Sequence, residues 1–188
     1  TMSLRFDPDA PAAGDGIFGL PFAPDDAEVI LVPAPWEATV SYRPGAAGGP
    51  QAILAASAQV DLFDRETGRP YERGIAMLPV SGSMREKGAE ARALAERVIA
   101  AGGVEHDGSV AGLAARVDAH CEEMNAWVYR TADEWLDRGK LVGVVGGDHS
   151  SPFGLIRAVA ERHPGMGILH LDAHADLRDS YMGDPHSH

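Results

Sequence analysis

Leu141-Val142-Gly143-Val144-Val145-Gly146-Gly147-Asp148-His149-Ser150 is the stretch on which the fold turns. It is a short apolar run that ends, within a few residues, in groups able to bind a metal ion. Near-continuous apolarity with β-branched content marks a strand covered on both faces, as in a parallel sheet. A second run downstream has the same form, Met166 to Leu171 leading into Asp172-Ala173-His174-Ala175-Asp176. Two more lie upstream, Glu28 to Pro33 and Gly74 to Pro79. Four strands are therefore expected.

Helical patterns separate them. Pro50 suits a first helical turn and opens a helix from Gln51 to about Phe63, while Arg85 to Ala101 ends at Gly102-Gly103, a stop signal. Leu113, Val117, Cys121, Met124, Val128 and Trp135 form one apolar stripe on a long helix, with Ser109 as its candidate cap. A fourth helix is expected from Pro152 to about His163. Alternating strands and helices predict an α/β architecture with a mostly parallel sheet and right-handed crossovers. Residues 1–16, rich in Pro, Ala, Asp and Gly without periodicity, read as a flexible arm ahead of a single folding unit over residues 17–188.

Composition narrows the function. A chain of 188 residues, 45% hydrophobic, can bury one substantial core. Its net charge of −12 argues against sequence-independent binding to nucleic acid, which needs a basic face, and suits a cationic small-molecule substrate better. Cys121 has no cysteine to pair with, so no internal disulfide forms and a reducing cytoplasm fits. No apolar run approaches the roughly 20 residues that span a bilayer, and the N-terminal stretch has no signal-peptide pattern, so a soluble intracellular protein is expected, with no membrane partner.

The chemistry sits after the strands. In open α/β sheets, ligands gather at the carboxyl ends of strands, which is where both polar segments fall. Asp172, His174 and Asp176 are spaced by two, so all three side chains share one side if strand geometry persists. Carboxylates so close repel and are costly to desolvate, and a divalent cation relieves both penalties. An isolated Asp-x-His pair is more often a capped loop with a solvated imidazole, but three such groups directly after a buried strand need a common partner. His149 joins them if its strand lies beside theirs. Carboxylate and imidazole without thiolate favour Mn, with Fe, Co, Ni or Zn as alternatives.

Gly-Gly-Asp-His-Ser at 146–150 and Asp-Ala-His-Ala-Asp at 172–176, in this order and at about this separation, resemble the two N-terminal signatures of the ureohydrolase (arginase and agmatinase) family. Val32-Pro33-Ala34-Pro35-Trp36, Ser41 to Gly45, and Gly49 to Ile53 are also similar to that family's N-terminal region, particularly its agmatinase-like branch. The resemblance implies a three-layer α/β/α fold around a central parallel sheet and a pair of Mn2+ ions. It matches His149 to a ligand of one manganese, His174 to a ligand of the other and Asp172 to a carboxylate bridging both. Asp176 matches a ligand that steadies the hydroxide and passes its proton to the departing amine. His188 is the first choice for the histidine that shuttles protons or contacts substrate, and His186 the second, against the ordinary reading of terminal histidines as exposed.

The resemblance also implies a later Asp-x-Asp segment that is not in this sequence, so an arginase-like domain incomplete at its C-terminus is expected. Urea release from an agmatine-like guanidine or amidine by a cytoplasmic homo-oligomer leads the functional readings. Arginase, guanidino-acid hydrolase and formimidoylglutamase activities are alternatives within the family. An inactive fragment or assembly subunit and a dinuclear metallophosphoesterase are alternatives outside it, the last opposed by motif order. His170 is read as a core histidine ahead of a donor beneath the metals, Asp148 as a cap or orienting group, Glu105 to Asp107 as a solvated loop, and Trp36, Trp127 and Trp135 as packing residues.

Overall fold

A computed structural model describes residues 14–182 and 185–186. Residues 1–13 of the expected arm, and His188, lie outside the described residues. Among the described residues three strands form one parallel sheet in the order β2-β1-β3: β1 (Val29–Ala34), β2 (Ile75–Met77) and β3 (Leu141–Gly146). Four α-helices accompany them, α1 (Gly49–Ser57), α2 (Gly82–Ala100), α3 (Ala111–Asp137) and α4 (Phe153–Arg162). The mixed architecture with parallel pairing agrees with the sequence reading of an arginase-like α/β fold.

The central strand is β1, paired with β2 from Val29↔Ile75 and with β3 along its whole length, from Val29↔Leu141 to Ala34↔Gly146. Ile30, Val32 and Ala34 are fully buried at alternate positions, as one face of a strand requires. Ala34 and Trp36 pack with Val117, Cys121, Met124 and Val128 of α3 and with Ala91, Leu94 and Ala95 of α2. Ile30 and Ala76 pack with Trp135 near the far end of α3. The apolar stripe read from the sequence is thus the seam between α3 and the rest of the core, and all three tryptophans take part in packing.

Helix ends show which signals carry. Ser81 caps α2 by accepting the Met84 N–H at 3.2 Å. At the other end the N–H groups of Gly102 and Gly103 close onto the carbonyls of Ile99 and Val98, with both glycines at positive φ, the left-handed termination foreseen for this pair. α1 stops at Ser57 rather than near Phe63. There the Ser57 hydroxyl donates to the Leu54 carbonyl and accepts the Phe18 N–H, both at 2.8 Å, which anchors the helix end to the N-terminal segment. Ser109 does not cap α3. It lies in the 3₁₀ turn Gly108–Val110, which Asp107 caps by accepting the Ser109 N–H at 2.9 Å.

One expected strand is corrected. Met166 to Leu171 has no ladder partner among the described residues and is not a strand. Ile168, Leu169 and Leu171 are 63%, 84% and 86% exposed, so the apolarity that predicted a buried strand meets no covering layer here. Gly165 at φ 85° turns the chain after α4, and Gly167 weakens extended structure from within.

Candidate metal centre

The site begins where β3 ends. Gly147 runs against the backbone of Trp36: its N–H donates to the Ala34 carbonyl at 3.2 Å, and the Asp148 N–H donates to the Trp36 carbonyl at 2.8 Å. A Cβ at position 147 would lie 1.9 Å from the Trp36 carbonyl oxygen, so only glycine permits this approach. Asp148 is buried, and its Oδ1 accepts the Ser150 N–H at 3.1 Å and the Ser150 hydroxyl at 2.6 Å. It therefore fixes the turn between β3 and α4, close to the capping role read from sequence. Pro152 itself is the N-cap of α4. This turn projects His149 into an open cleft that Val144, Gly146, Gly147 and Ser151 also line.

The segment after α4 supplies the other groups. His149 Nδ1 is 2.8 Å from Asp176 Oδ2 and 3.7 Å from Asp172 Oδ2. His170 Nε2 is 3.5 Å from the same Asp176 oxygen, and its ring stacks on that of His149 with centroids 5.3 Å apart and planes at 25°. One donor atom from each of His149, His170, Asp172 and Asp176 falls within 4.8 Å of the other three.

Convergence is achieved without strand geometry. Asp172 Oδ1 accepts the His174 backbone N–H at 2.8 Å, a local turn of the kind Asp side chains form with the residue two positions on. Asp176 then adopts the left-handed conformation, φ 47°, which Asp tolerates better than most residues. Asp172 and Asp176 consequently swing toward His149, while the His174 side chain is 82% exposed with Nδ1 3.2 Å from Asp172 Oδ1. The Asp172 carboxyl is held below its ordinary value, first by the His174 backbone N–H and then by the charge of His149, against the opposing effect of desolvation.

Of the sequence candidates, the structure brings together His149, Asp172 and Asp176, and sets His174 beside them on the outer oxygen of Asp172. His170 joins the group although packing was the first reading for it. Its signal in the sequence is the spacing of two that links it to Asp172, the same spacing that links Asp172 to His174. His186 pairs with Asp118 of α3 at 2.6 Å and is not one of the four converged donors. The site's chemistry fits a hard or borderline divalent cation: two imidazoles and two carboxylates, with no thiolate. Cys121 is buried in the core cluster. Among the described residues no helix is long and apolar enough to cross a membrane.

Comparison with known proteins gives a consistent picture. The model of the arginase family matches residues 27–188. An N(1)-aminopropylagmatine ureohydrolase of Thermus thermophilus is 33% identical over 175 residues, which cover 92% of this chain and 48% of that protein. A protein of the same name from Synechocystis is 29% identical, covering 87% of this chain and 45% of its own length. An agmatinase of Bacillus anthracis is 27% identical over 170 residues, 87% of this chain and 46% of that one. The chain spans about half the length of the relatives it matches.

Proposed function

The chain belongs to the arginase family, and on that premise we propose that it serves a metal-dependent ureohydrolase that cleaves a guanidino or amidino C–N bond in a linear cationic substrate, in the agmatinase-like manner. The observation that carries the reading is the meeting of His149 from the end of β3 with Asp172 and Asp176 from the segment after α4. Two separate stretches of chain bring imidazole and carboxylate to one point, the arrangement a hydrolytic metal requires.

The metal is Mn2+, with two ions in the complete site. When bound, such a pair supplies hydroxide near neutral pH and positive charge opposite the developing tetrahedral carbon. This chain's residues have distinct parts. His149 would hold one ion, and Asp172, with one oxygen toward His149 and the other toward His174, would contribute to both. His174 would hold the second ion. Asp176, 2.8 Å from His149 Nδ1, would hold and pass the proton that the leaving amine needs. His188 is assigned to substrate contact and proton shuttling.

The net charge of −12 suits a cationic guanidino substrate. The relatives' names point to agmatine and N(1)-aminopropylagmatine as first candidates. A cytoplasmic homo-oligomer completes the proposal. Urea release by the Mn2+-loaded full-length protein is the test, assayed with agmatine, N(1)-aminopropylagmatine, arginine and a guanidino acid. Urea from one of the first two is the expected result, and no urea or ammonia from any of the four would overturn the proposal.

A further inference from the structure

We propose that Glu37 is a positioning residue for substrate: it ties down the loop between β1 and α1 and so holds that loop as a wall of the cleft, against which the substrate's tail lies. The inference rests on the ureohydrolase reading above for the identity of the substrate, and on the loop itself for the rest.

Three observations carry it. First, the loop, residues 37–48, begins and ends on the turn that follows β3. Before it, the Trp36 carbonyl accepts the Asp148 N–H at 2.8 Å. After it, a Cβ on Gly49 would stand 3.0 Å from the Gly146 carbonyl oxygen. The loop therefore leaves the sheet at the carboxyl end of β1, where open α/β sheets take their ligands. Second, the Glu37 carboxylate reaches across the loop, and its Oε2 accepts the N–H groups of Gly45 at 2.5 Å and Ala47 at 3.3 Å. Bonds from backbone N–H groups to a carboxylate are charge-assisted and stronger than neutral ones. Third, the loop contains backbone that needs holding. Arg43 is at φ 49° and Gly45 at φ 136°. A non-glycine residue in the left-handed region persists where its surroundings fix it, and Glu37 supplies that fixing two residues further on.

The loop is held at both shoulders and presented at its tip. On one side, Arg92 of α2 donates through Nη1 to the carbonyl of Val40, which is buried. On the other, Glu37 holds Gly45 and the 3₁₀ turn Ala46–Gly48 that runs into α1. Between these two holds, residues 41–45 are exposed. Tyr42 is 74% exposed, with the Arg43 guanidinium 5.2 Å over its ring. The tip thus offers an aromatic ring and a guanidinium from a turn whose place Glu37 sets. Releasing Glu37 frees the tip while the backbone bonds between β1, Trp36 and the β3 turn stay in place. Substrate binding, and not metal binding, is what the residue controls.

Glu37→Ala and Glu37→Gln in the Mn2+-loaded full-length protein test this, read by amide hydrogen exchange, Mn2+ titration calorimetry and steady-state urea release from agmatine and N(1)-aminopropylagmatine. In Glu37→Ala the Gly45 and Ala47 amides should exchange at least about tenfold faster, as expected when a hydrogen bond to a charged group is removed. KM should rise at least about fivefold while kcat changes by less than about twofold, the pattern of lost binding rather than lost chemistry. Glu37→Gln, which keeps an acceptor oxygen and loses the charge, should fall between Glu37→Ala and wild type in both respects. Mn2+ affinity should stay within about twofold of wild type in either variant, as for sites without shared partners. Unchanged exchange at Gly45 and Ala47 would overturn the inference, and so would faster exchange with a wild-type KM; both leave the ureohydrolase reading standing. A fall in kcat as large as the rise in KM, or a loss of Mn2+ affinity, would make Glu37 a support of the fold and overturn the inference as well. No urea from the wild-type protein with either substrate would overturn both.

Discussion

His149 Nδ1 stands 2.8 Å from Asp176 Oδ2, and this contact closes the candidate site between two segments that the sheet does not join. β3 holds His149 through backbone hydrogen bonds to β1 and the Trp36 turn, whereas Asp176 rides on a segment without ladder pairing. A bound cation would hold the second segment against the first. Asp176→Asn keeps the shape of the side chain and removes its charge, so Mn2+ affinity should drop at least about tenfold. Calorimetric titration of the two proteins checks it, and equal affinities would remove Asp176 from the ligand set.

Gly147 ties the site to the core. Any side chain there places a Cβ 1.9 Å from the Trp36 carbonyl oxygen and 2.8 Å from both the carbonyl carbon and the amide nitrogen of Trp36, contacts that backbone must relieve by moving. Gly147→Ala should cost about 1–3 kcal/mol, the usual range for overpacking a rigid site, and should weaken metal binding as well because His149 shifts with the turn. Urea unfolding reads the first effect. A change within about 0.5 kcal/mol, the range of an innocuous surface substitution, would show that the turn has room the geometry denies.

Met124 separates fold from site. Its side chain is 1% exposed and packs within the cluster that includes Trp36, Cys121 and Val128. Met124→Ala should destabilise the protein by about 2–5 kcal/mol through lost burial and the cavity left behind, while the folded fraction keeps its Mn2+ affinity. Loss of affinity in protein that is still fully folded would mean that α3 packing sets the site's geometry more directly than these contacts suggest.

Much of this was legible in the sequence because the governing signals are local. The β3 run, the Gly102-Gly103 stop and the α3 stripe each depend on residues a few positions apart, and each appears in place. What depended on distant partners was read less well. The apolarity of Met166 to Leu171 suggested a buried strand, but a strand needs a neighbour's free edge and a covering layer, and neither is specified within the run itself. The same failure redirected the site. With strand geometry, Asp172, His174 and Asp176 would share a side, whereas Asp172 and Asp176 face His149 and the His174 side chain is 82% exposed. The reading of Asp-x-His as a capped loop with a solvated imidazole describes His174 in this structure, even though the neighbouring carboxylates converge.

An ion pair at the far end of β1 offers a test by pH. Glu28 precedes the strand, and its carboxylate takes two hydrogen bonds from the Arg73 guanidinium, one of them Nη2 to Oε1 at 2.9 Å. The Glu28 N–H in turn donates to the carbonyls of Arg73 and Gly74 at 3.1 and 3.0 Å. The pair thus pins the start of the central strand to the turn that feeds β2. Arg73 hydrogen bonding, followed by the charges of Arg73 and Lys140, holds the Glu28 carboxyl below its ordinary value of 4.5, with desolvation opposing. A carboxylate whose folded value is depressed adds stability that is fully present above the unfolded value and is lost as pH falls through the folded one. Both partners are largely exposed, so the contribution is small and screened by salt. Glu28→Gln should therefore be less stable than wild type at pH ~7 in low salt, and the gap should close as the pH is lowered below ~4. Denaturant midpoints of the two proteins across that range read the effect directly. A gap that persists undiminished in acid would assign the difference to lost packing of the side chain and not to its charge.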